Sequence, residues 1–329
     1  MKPVIFGVLS VSKHFSLRVF PVIKDSPALS VKAIASRSLQ KAQGEAARLG
    51  IEKACGRYED ILADKDIEVV YIPLPNNLHA QWIKAAADAG KHILCEKPLA
   101  MNAAQAEEAV KYAEGKGVKV MEAFMYRFHP QWQKARDIIA TGEIGEVHSI
   151  HIQYAYTNRD PKNIRNIPEA GGGAIMDIGC YAVSAIRFLM DAEPARVISL
   201  VARDPDFKTD VITSAILDYG KARALFTVST TSWPGQKVEI RGSEGEISFR
   251  LPYNMFADVP AELDVNTRIA PRTLHIGPAS QYTLMFEAFC EAIRGDGKPL
   301  PTPPQDSIGN MRVLDALVRS EKSEGWERL

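Results

Sequence analysis

The stretch Lys2-Pro3-Val4-Ile5-Phe6-Gly7-Val8-Leu9-Ser10-Val11-Ser12-Lys13-His14-Phe15 decides the fold. Val4-Ile5-Phe6 reads as a buried first strand, and Phe15 to Lys24 has helical spacing. A strand that turns sharply into a helix opens a βαβ unit. In a dinucleotide-binding unit that turn reads G-x-G-x-x-G. Here the three glycine positions hold Ser10, Ser12 and Phe15. The first glycine permits the tight turn, the second lets backbone approach a pyrophosphate, and the third lets helix pack close on strand. Serine damages the first two least, because it is small and its hydroxyl can donate to a phosphate oxygen. Phe15 is the larger departure: it should push the helix outward or fill the space the glycine keeps empty. On this turn alone a plain β–α connection is the simpler reading.

Working outward, residues 1–121 alternate apolar runs with helical patterns. Ser30 to Ala35, Val69 to Ile72, His92 to Cys95 and Val118 to Met121 read as strands. Leu39 to Leu49, Tyr58 to Leu62, His79 to Ala89 and Ala103 to Lys116 read as helices. That alternation implies right-handed crossovers and a doubly wound parallel sheet, an α/β Rossmann domain. Beyond Met121 the rhythm changes. His129 to Ala140 and Ala174 to Leu189 are helical. Val197 to Ala202, Ile212 to Asp218, Ala224 to Thr230, Lys237 to Arg241 and Glu246 to Arg250 are strand-like, with turns at Tyr219-Gly220-Lys221 and Gly242 to Gly245. Strands in a row with short turns predict an α+β domain, residues 122–329, on a mostly antiparallel open sheet. Residues 252–280 read as a long excursion. Ser280 to Arg294 and Pro304 to Lys322 read as helices, the last expected to return to the first domain.

Composition narrows the classes. Lys+Arg and Asp+Glu both number 40, so bulk electrostatics favour neither nucleic acid nor an anionic membrane. No uninterrupted 18-residue apolar run appears, so no membrane span is expected. Cys55, Cys95, Cys180 and Cys290 are far apart without a C-x-x-C pair, which suits a reducing, cytoplasmic setting. No His/Asp/Glu grouping has metal-ligand spacing, so no metal is expected.

The end of the second strand shifts the balance on the turn. A cofactor with a free ribose 2′-hydroxyl calls for an acidic residue there. The sequence instead has Ser36-Arg37-Ser38, with Lys41 one helical turn on. Arg37 can pair with a 2′-phosphate and stack on adenine, and the serines add donors. This favours NADP(H) ahead of NAD(H).

Four further segments stand out: Tyr71-Ile72-Pro73-Leu74-Pro75-Asn76-Asn77-Leu78-His79, Gly90 to Leu99 with Glu96-Lys97-Pro98, Glu122 to Pro130 with Arg127 and His129, and Gly171 to Tyr181. Together these resemble the glucose–fructose oxidoreductase / inositol dehydrogenase / MocA family of NAD(P)-dependent oxidoreductases, over essentially the whole chain. Tyr181, following Gly179-Cys180 where many members place histidine, is similar to the branch with dihydrodiol and xylose dehydrogenases. The resemblance implies cofactor contacts from Ser10, Ser12, Lys13, His14, Ser36, Arg37, Ser38, Lys41, Pro73, Leu74, Asn76, His79, Glu96, Lys97 and Arg127. His79 by itself reads as a packing or capping residue.

The chemistry can be argued beside the resemblance. Lys97 ends a parallel strand, where doubly wound sheets bind ligands, and Pro98 restricts it to extended geometry and suits a cis bond. Carbonyl reduction needs a hydride donor and a proton donor at the oxygen. A tyrosine pKa of about 10 falls beside an ammonium, so Lys97 near Tyr181 would tune a proton shuttle. Asp177, four residues before Tyr181, shares its helix face and is expected to orient substrate. Asn163 and Arg165 are candidate contacts for a carbohydrate-like substrate. The alternatives are a nucleotide-linked keto-sugar reductase, or a ligand sensor that keeps the fold and binds dinucleotide poorly. Apolar residues on both alternations of Ala224 to Val228 predict a homodimer, or a higher assembly, through the second sheet.

Overall fold

The expected apolar runs form one parallel sheet in the computed structural model, which describes residues 2–295 and 298–329. β1 (Val4–Val8), β2 (Leu29–Ala35), β3 (Lys53–Cys55), β4 (Val69–Ile72), β5 (His92–Cys95) and β6 (Val120–Glu122) lie in the order β3-β2-β1-β4-β5-β6. The order reverses between β1 and β4, and such a switch point opens a crevice beyond the carboxyl ends of the strands. β4 is buried along its length, as a strand covered on both faces must be. The short β3 has no sequence pattern of its own and was not expected.

The helices between these strands are α1 (Phe20–Ile23), α2 (Leu39–Leu49), α3 (Tyr58–Leu62), α4 (Asn76–Asp88) and α5 (Ala103–Gly115). Phe15 answers the question set by the turn. It is fully buried, with its ring centroid 5.7 Å from those of both Phe20 and Tyr71. The backbone takes a wider π turn over Phe15–Val19 before α1. The aromatic ring therefore fills the space a glycine would leave, and the local widening accommodates it.

The chain up to Met125 forms this first unit together with Tyr282–Ile308. This differs from the expected division at 121/122. The reason is apolar packing: Phe286, on the helix Gln281–Arg294, lies 5.4 Å from the ring of Phe6 and 5.3 Å from that of Tyr71. Of the last helix, Pro304–Ser323, only the start as far as Ile308 belongs here.

The second unit is Tyr126–Gln281 with Gly309–Leu329. It contains α6 (Pro130–Ala140), α7 (Cys180–Met190) and a nine-stranded sheet. The strands are β7 (Val147–Thr157), β8 (Arg196–Arg203), β9 (Asp210–Asp218), β10 (Arg223–Ser229), β11 (Thr231–Gly242), β12 (Gly245–Phe249), β13 (Ala261–Thr267), β14 (Pro271–Ile276) and β15 (Glu327–Arg328). Their order is β14-β13-β12-β11-β7-β10-β9-β8-β15, and only the β7–β10 pair is parallel. Two expectations need correction. The central strand, β7, was not anticipated, although Ile150, Ile152 and Tyr154 alternate inward. The excursion at 252–280 contains β13 and β14, paired from Ala261 with Ile276 to Asn266 with Pro271. The stretch Pro168–Met190, although interrupted by Asp177 and Arg187, is long and apolar enough to span a bilayer by length and composition alone. Yet 78% of its most apolar window is buried inside the structure, as in a core helix.

Candidate active site

In the first unit the turn after β1 leads to the switch-point crevice. Ser12 caps the helix that follows: its Oγ accepts a hydrogen bond from the Phe15 N–H at 3.1 Å. The first N–H groups of a helix have no partner within it, so Lys13 and His14 sit where a phosphate would be met by backbone donors. Ser10 lies half-buried in the same turn. At the end of β2, Ser36 Oγ accepts from Ser38 N–H at 3.2 Å, and Ser38 Oγ caps α2 through Lys41 N–H at 3.4 Å. Arg37 and Lys41 are exposed. These residues fit a dinucleotide: a capped helix start at the crevice and a cationic strand end.

The loops after β4 and β5 are braced together. The buried His79 places Nδ1 2.8 Å from Pro98 O and Nε2 2.9 Å from Leu74 O. A neutral imidazole donates from only one nitrogen. Burial nonetheless pushes its pKa down, against the two carbonyls. His79 thus holds the buried Pro73-Leu74 turn against the Lys97-Pro98 turn, and the Lys97–Pro98 bond is cis. Asn76 begins α4 in the same region. Glu96, just before the half-buried Lys97, accepts a hydrogen bond from the Tyr71 hydroxyl and lies 3.4 Å from His14 Nε2. Burial alone would raise its pKa. The His14, Tyr71 and Lys97 side chains outweigh burial and hold the carboxyl at about 2.

The second unit gathers the remaining candidates. Gly172 lets the preceding loop close on the start of the π turn Ile175–Gly179 that runs into α7: a Cβ there would stand 2.5 Å from Arg165 O. Gly173 sits at φ +116°, and a Cβ there would strike the Asp210 carboxylate. That carboxylate accepts from Ile175 N–H at 2.7 Å and from Thr213 Oγ1 at 3.1 Å, fixing the start of the segment. Asp177 then receives two donors on Oδ2: Tyr156 hydroxyl at 2.6 Å and Arg165 Nε at 2.8 Å. Asp177 raises the Arg165 pKa, and burial together with Asp177 raises that of Tyr156. Tyr181 is buried, with its ring 5.5 Å from Tyr253 and 6.0 Å from both Tyr126 and Tyr154.

Three expected ligand contacts have other structural engagements. Arg127 donates Nη2 to Ser184 Oγ at 2.8 Å and lies 5.2 Å over the Phe188 ring, so it braces α7. Arg165 is committed to Asp177, and Asn163 Oδ1 accepts from the Arg165 backbone N–H at 3.1 Å. Conversely, Tyr71 and Tyr156 were missed. A tyrosine in an otherwise aliphatic buried strand signals a hydroxyl that needs a partner. That signal was present in Val69-Val70-Tyr71-Ile72.

A crevice at the β1/β4 switch point, followed by an α+β unit with its own carboxylate–tyrosine cluster, defines a two-unit Rossmann oxidoreductase. The chain belongs to the Gfo/Idh/MocA family. Residues 4–124 match the oxidoreductase family model with NAD-binding Rossmann fold, and residues 132–248 match the GFO/IDH/MocA C-terminal domain. It is 42% identical to an uncharacterised oxidoreductase of Rhizobium meliloti, over 98% of both chains. It is 36% identical to D-xylose 1-dehydrogenase (NADP+) 2 of Haloferax volcanii, over 97% of both. A 3-ketoreductase from Actinomadura kijaniata, crystallised with NADP and TDP-benzene, superposes with a TM-score of 0.91 at 28% identity, covering 97% of this chain and 98% of that one.

Proposed function

We propose that the protein is an NADP(H)-dependent oxidoreductase that interconverts a hydroxyl and a ketone on a sugar, polyol or cyclic diol. The observation that carries the cofactor choice is Arg37, held between two serines where a 2′-hydroxyl reader would be acidic. The NADP-dependent xylose dehydrogenase and the NADP-bound ketoreductase among its relatives support it. NAD(H) is the second choice.

The bound nicotinamide supplies or accepts the hydride. Tyr181 exchanges the proton at the substrate oxygen as general acid/base, and Lys97 favours its phenolate and binds that oxygen. Asp177 orients the substrate hydroxyls, with Asn163 and Arg165 as further substrate contacts. Glu96 keeps the loop carrying Lys97 in place. Titrating the protein with NADPH and NADH by quenching of tryptophan fluorescence tests the cofactor. Binding of neither would favour the sensor reading. Tyr181→Phe is expected to lower turnover by about 100-fold or more while leaving NADPH binding intact. Full turnover in both Tyr181→Phe and Lys97→Ala would overturn the assignment.

The same reading includes a homodimer through the open face of the second sheet, in a reducing, cytoplasmic setting. Among the described residues no disulfide forms and all four cysteines are buried, in keeping with that setting. The open face carries Ile198, Leu200, Ile216 and Leu225, and Leu200 is 78% exposed. Sedimentation as a monomer at micromolar concentration would count against the dimer.

A further inference from the structure

We propose that Arg57 joins Arg37 in gripping the 2′-phosphate of the dinucleotide, and that this pair sets the preference for NADP over NAD. The inference rests on the cofactor reading above and adds a residue to it. β2 and β3 run parallel with Ala35 beside Cys55, and the ladder continues as Ser36 N–H donates to Cys55 O at 3.1 Å. Arg37 and Arg57 thus leave the carboxyl ends of neighbouring strands two residues beyond that pair, where strands are spaced by about 4.8 Å.

Gly56 brings the two ends closer to the same target. A Cβ at Gly56 would stand 3.2 Å from Leu39 Cβ. The backbone leaving β3 therefore lies against the first residue of α2, beside the Ser36–Ser38 turn and one helical turn from Lys41. A second observation sets Arg37 near the residue that follows Arg57. Burial raises the pKa of Tyr58, the residue after Arg57, and the charge of Arg37 acts against that rise. Tyr58 is itself held edge-on to Trp82, ring centroids 4.9 Å apart.

Two arginines divide the work better than one. A guanidinium stacked on adenine keeps its in-plane N–H groups for the phosphate, but one fork meets only two acceptor oxygens at a time. A 2′-phosphate carries close to two negative charges near neutral pH and offers three acceptor oxygens. It can take a bidentate fork from a second guanidinium. Arg57 now lies 3.6 Å from Glu59, with the two side chains 70% and 57% exposed. An exposed pair of that kind contributes little and yields to a doubly charged phosphate.

The test measures dissociation constants of NADPH, NADH and 2′,5′-ADP for the full chain and for Arg57→Ala, Arg37→Ala and Glu59→Gln. The last ligand carries the adenosine 2′-phosphate without nicotinamide. Arg57→Ala should weaken NADPH and 2′,5′-ADP about tenfold and leave NADH within about twofold. Glu59→Gln should tighten both ligands that carry the 2′-phosphate. Equal weakening of NADPH and NADH in Arg57→Ala, or no weakening of either, overturns the role of Arg57 while the cofactor reading stands. An unmodified protein that does not prefer NADPH overturns both, and is seen before any variant is made.

Discussion

Glu96 in the first unit and Asp177 in the second are held in similar ways with one decisive difference. Each carboxylate accepts a hydrogen bond from a tyrosine hydroxyl, Tyr71 and Tyr156 respectively, and each has a basic neighbour. Each adjoins a residue assigned to the chemistry: Glu96 precedes Lys97, and Asp177 lies four residues before Tyr181. The difference is the neighbour. Asp177 has a guanidinium at 2.8 Å, which stays charged at any working pH. Glu96 has instead a partly exposed imidazole at 3.4 Å, a longer contact. The second cluster has a fixed charge pattern. The first is held ionised, against burial, by His14, the Tyr71 hydroxyl and Lys97 together.

The strongest way to break this comparison is to remove the charge of Glu96. Its folded-state pKa of about 2 lies below the usual 4.5, so ionised Glu96 stabilises the fold. That stabilisation is fully present above pH 4.5 and is lost as pH falls through about 2. At pH 7 the gap is worth on the order of 3 kcal/mol. Glu96→Gln should therefore lose about that much in chemical denaturation at pH 7, and its deficit should shrink between pH 4.5 and 3. A deficit that stayed constant down to pH 3 would show that shape, and not charge, is what Glu96 supplies.

A smaller effect is expected on the other side. Arg165→Ala removes a charge partner of Asp177 but leaves the Tyr156 hydrogen bond, and the Arg165 side chain is 39% exposed, so water can enter. Breaking a fully buried pair costs several kcal/mol; with this exposure the loss should be about 1–2 kcal/mol. The sharper readout is catalytic. Without the Arg165 charge beside it, the Asp177 carboxylate disfavours a nearby phenolate more strongly, so the basic limb of the kcat–pH profile should move to higher pH in Arg165→Ala. Arg165→Lys should restore part of the shift. A variant that loses stability with an unmoved profile would leave Arg165 as a structural brace alone.

These two clusters also mark how far the sequence could be read. The strand ends were legible because parallel strands are apolar throughout and their carboxyl ends carry the polar exceptions. Ser36-Arg37-Ser38 and Glu96-Lys97-Pro98 fall there by pattern alone. What was not legible joins residues far apart in the chain. Nothing near Asp177 announces Tyr156, which lies on a strand whose alternation was overlooked. Nothing near Phe6 announces Phe286. β3 has three residues, too few for any period to register. The turn itself was legible only as a departure from glycine. That Phe15 finds Phe20 and Tyr71 beneath it depends on packing that no local rule predicts.

His14 gives the smallest expected effect and the finest test of the comparison. Its side chain is 35% exposed, and its ring meets Tyr282 edge-on at 5.7 Å. With that exposure His14→Ala should cost less than about 1 kcal/mol, because water can take the imidazole's place while the buried Tyr71 hydrogen bond persists. Tyr71→Phe should cost more, since it leaves a buried carboxylate short of a donor. The ranking is the point: His14→Ala below Arg165→Ala, and Tyr71→Phe above His14→Ala. His14 also stands in the turn that faces the crevice, so its removal should register in NADPH affinity before it registers in melting temperature. A loss of stability equal to that of Arg165→Ala would mean that the imidazole holds Glu96 as firmly as the guanidinium holds Asp177, and the contrast between the two carboxylates would fall.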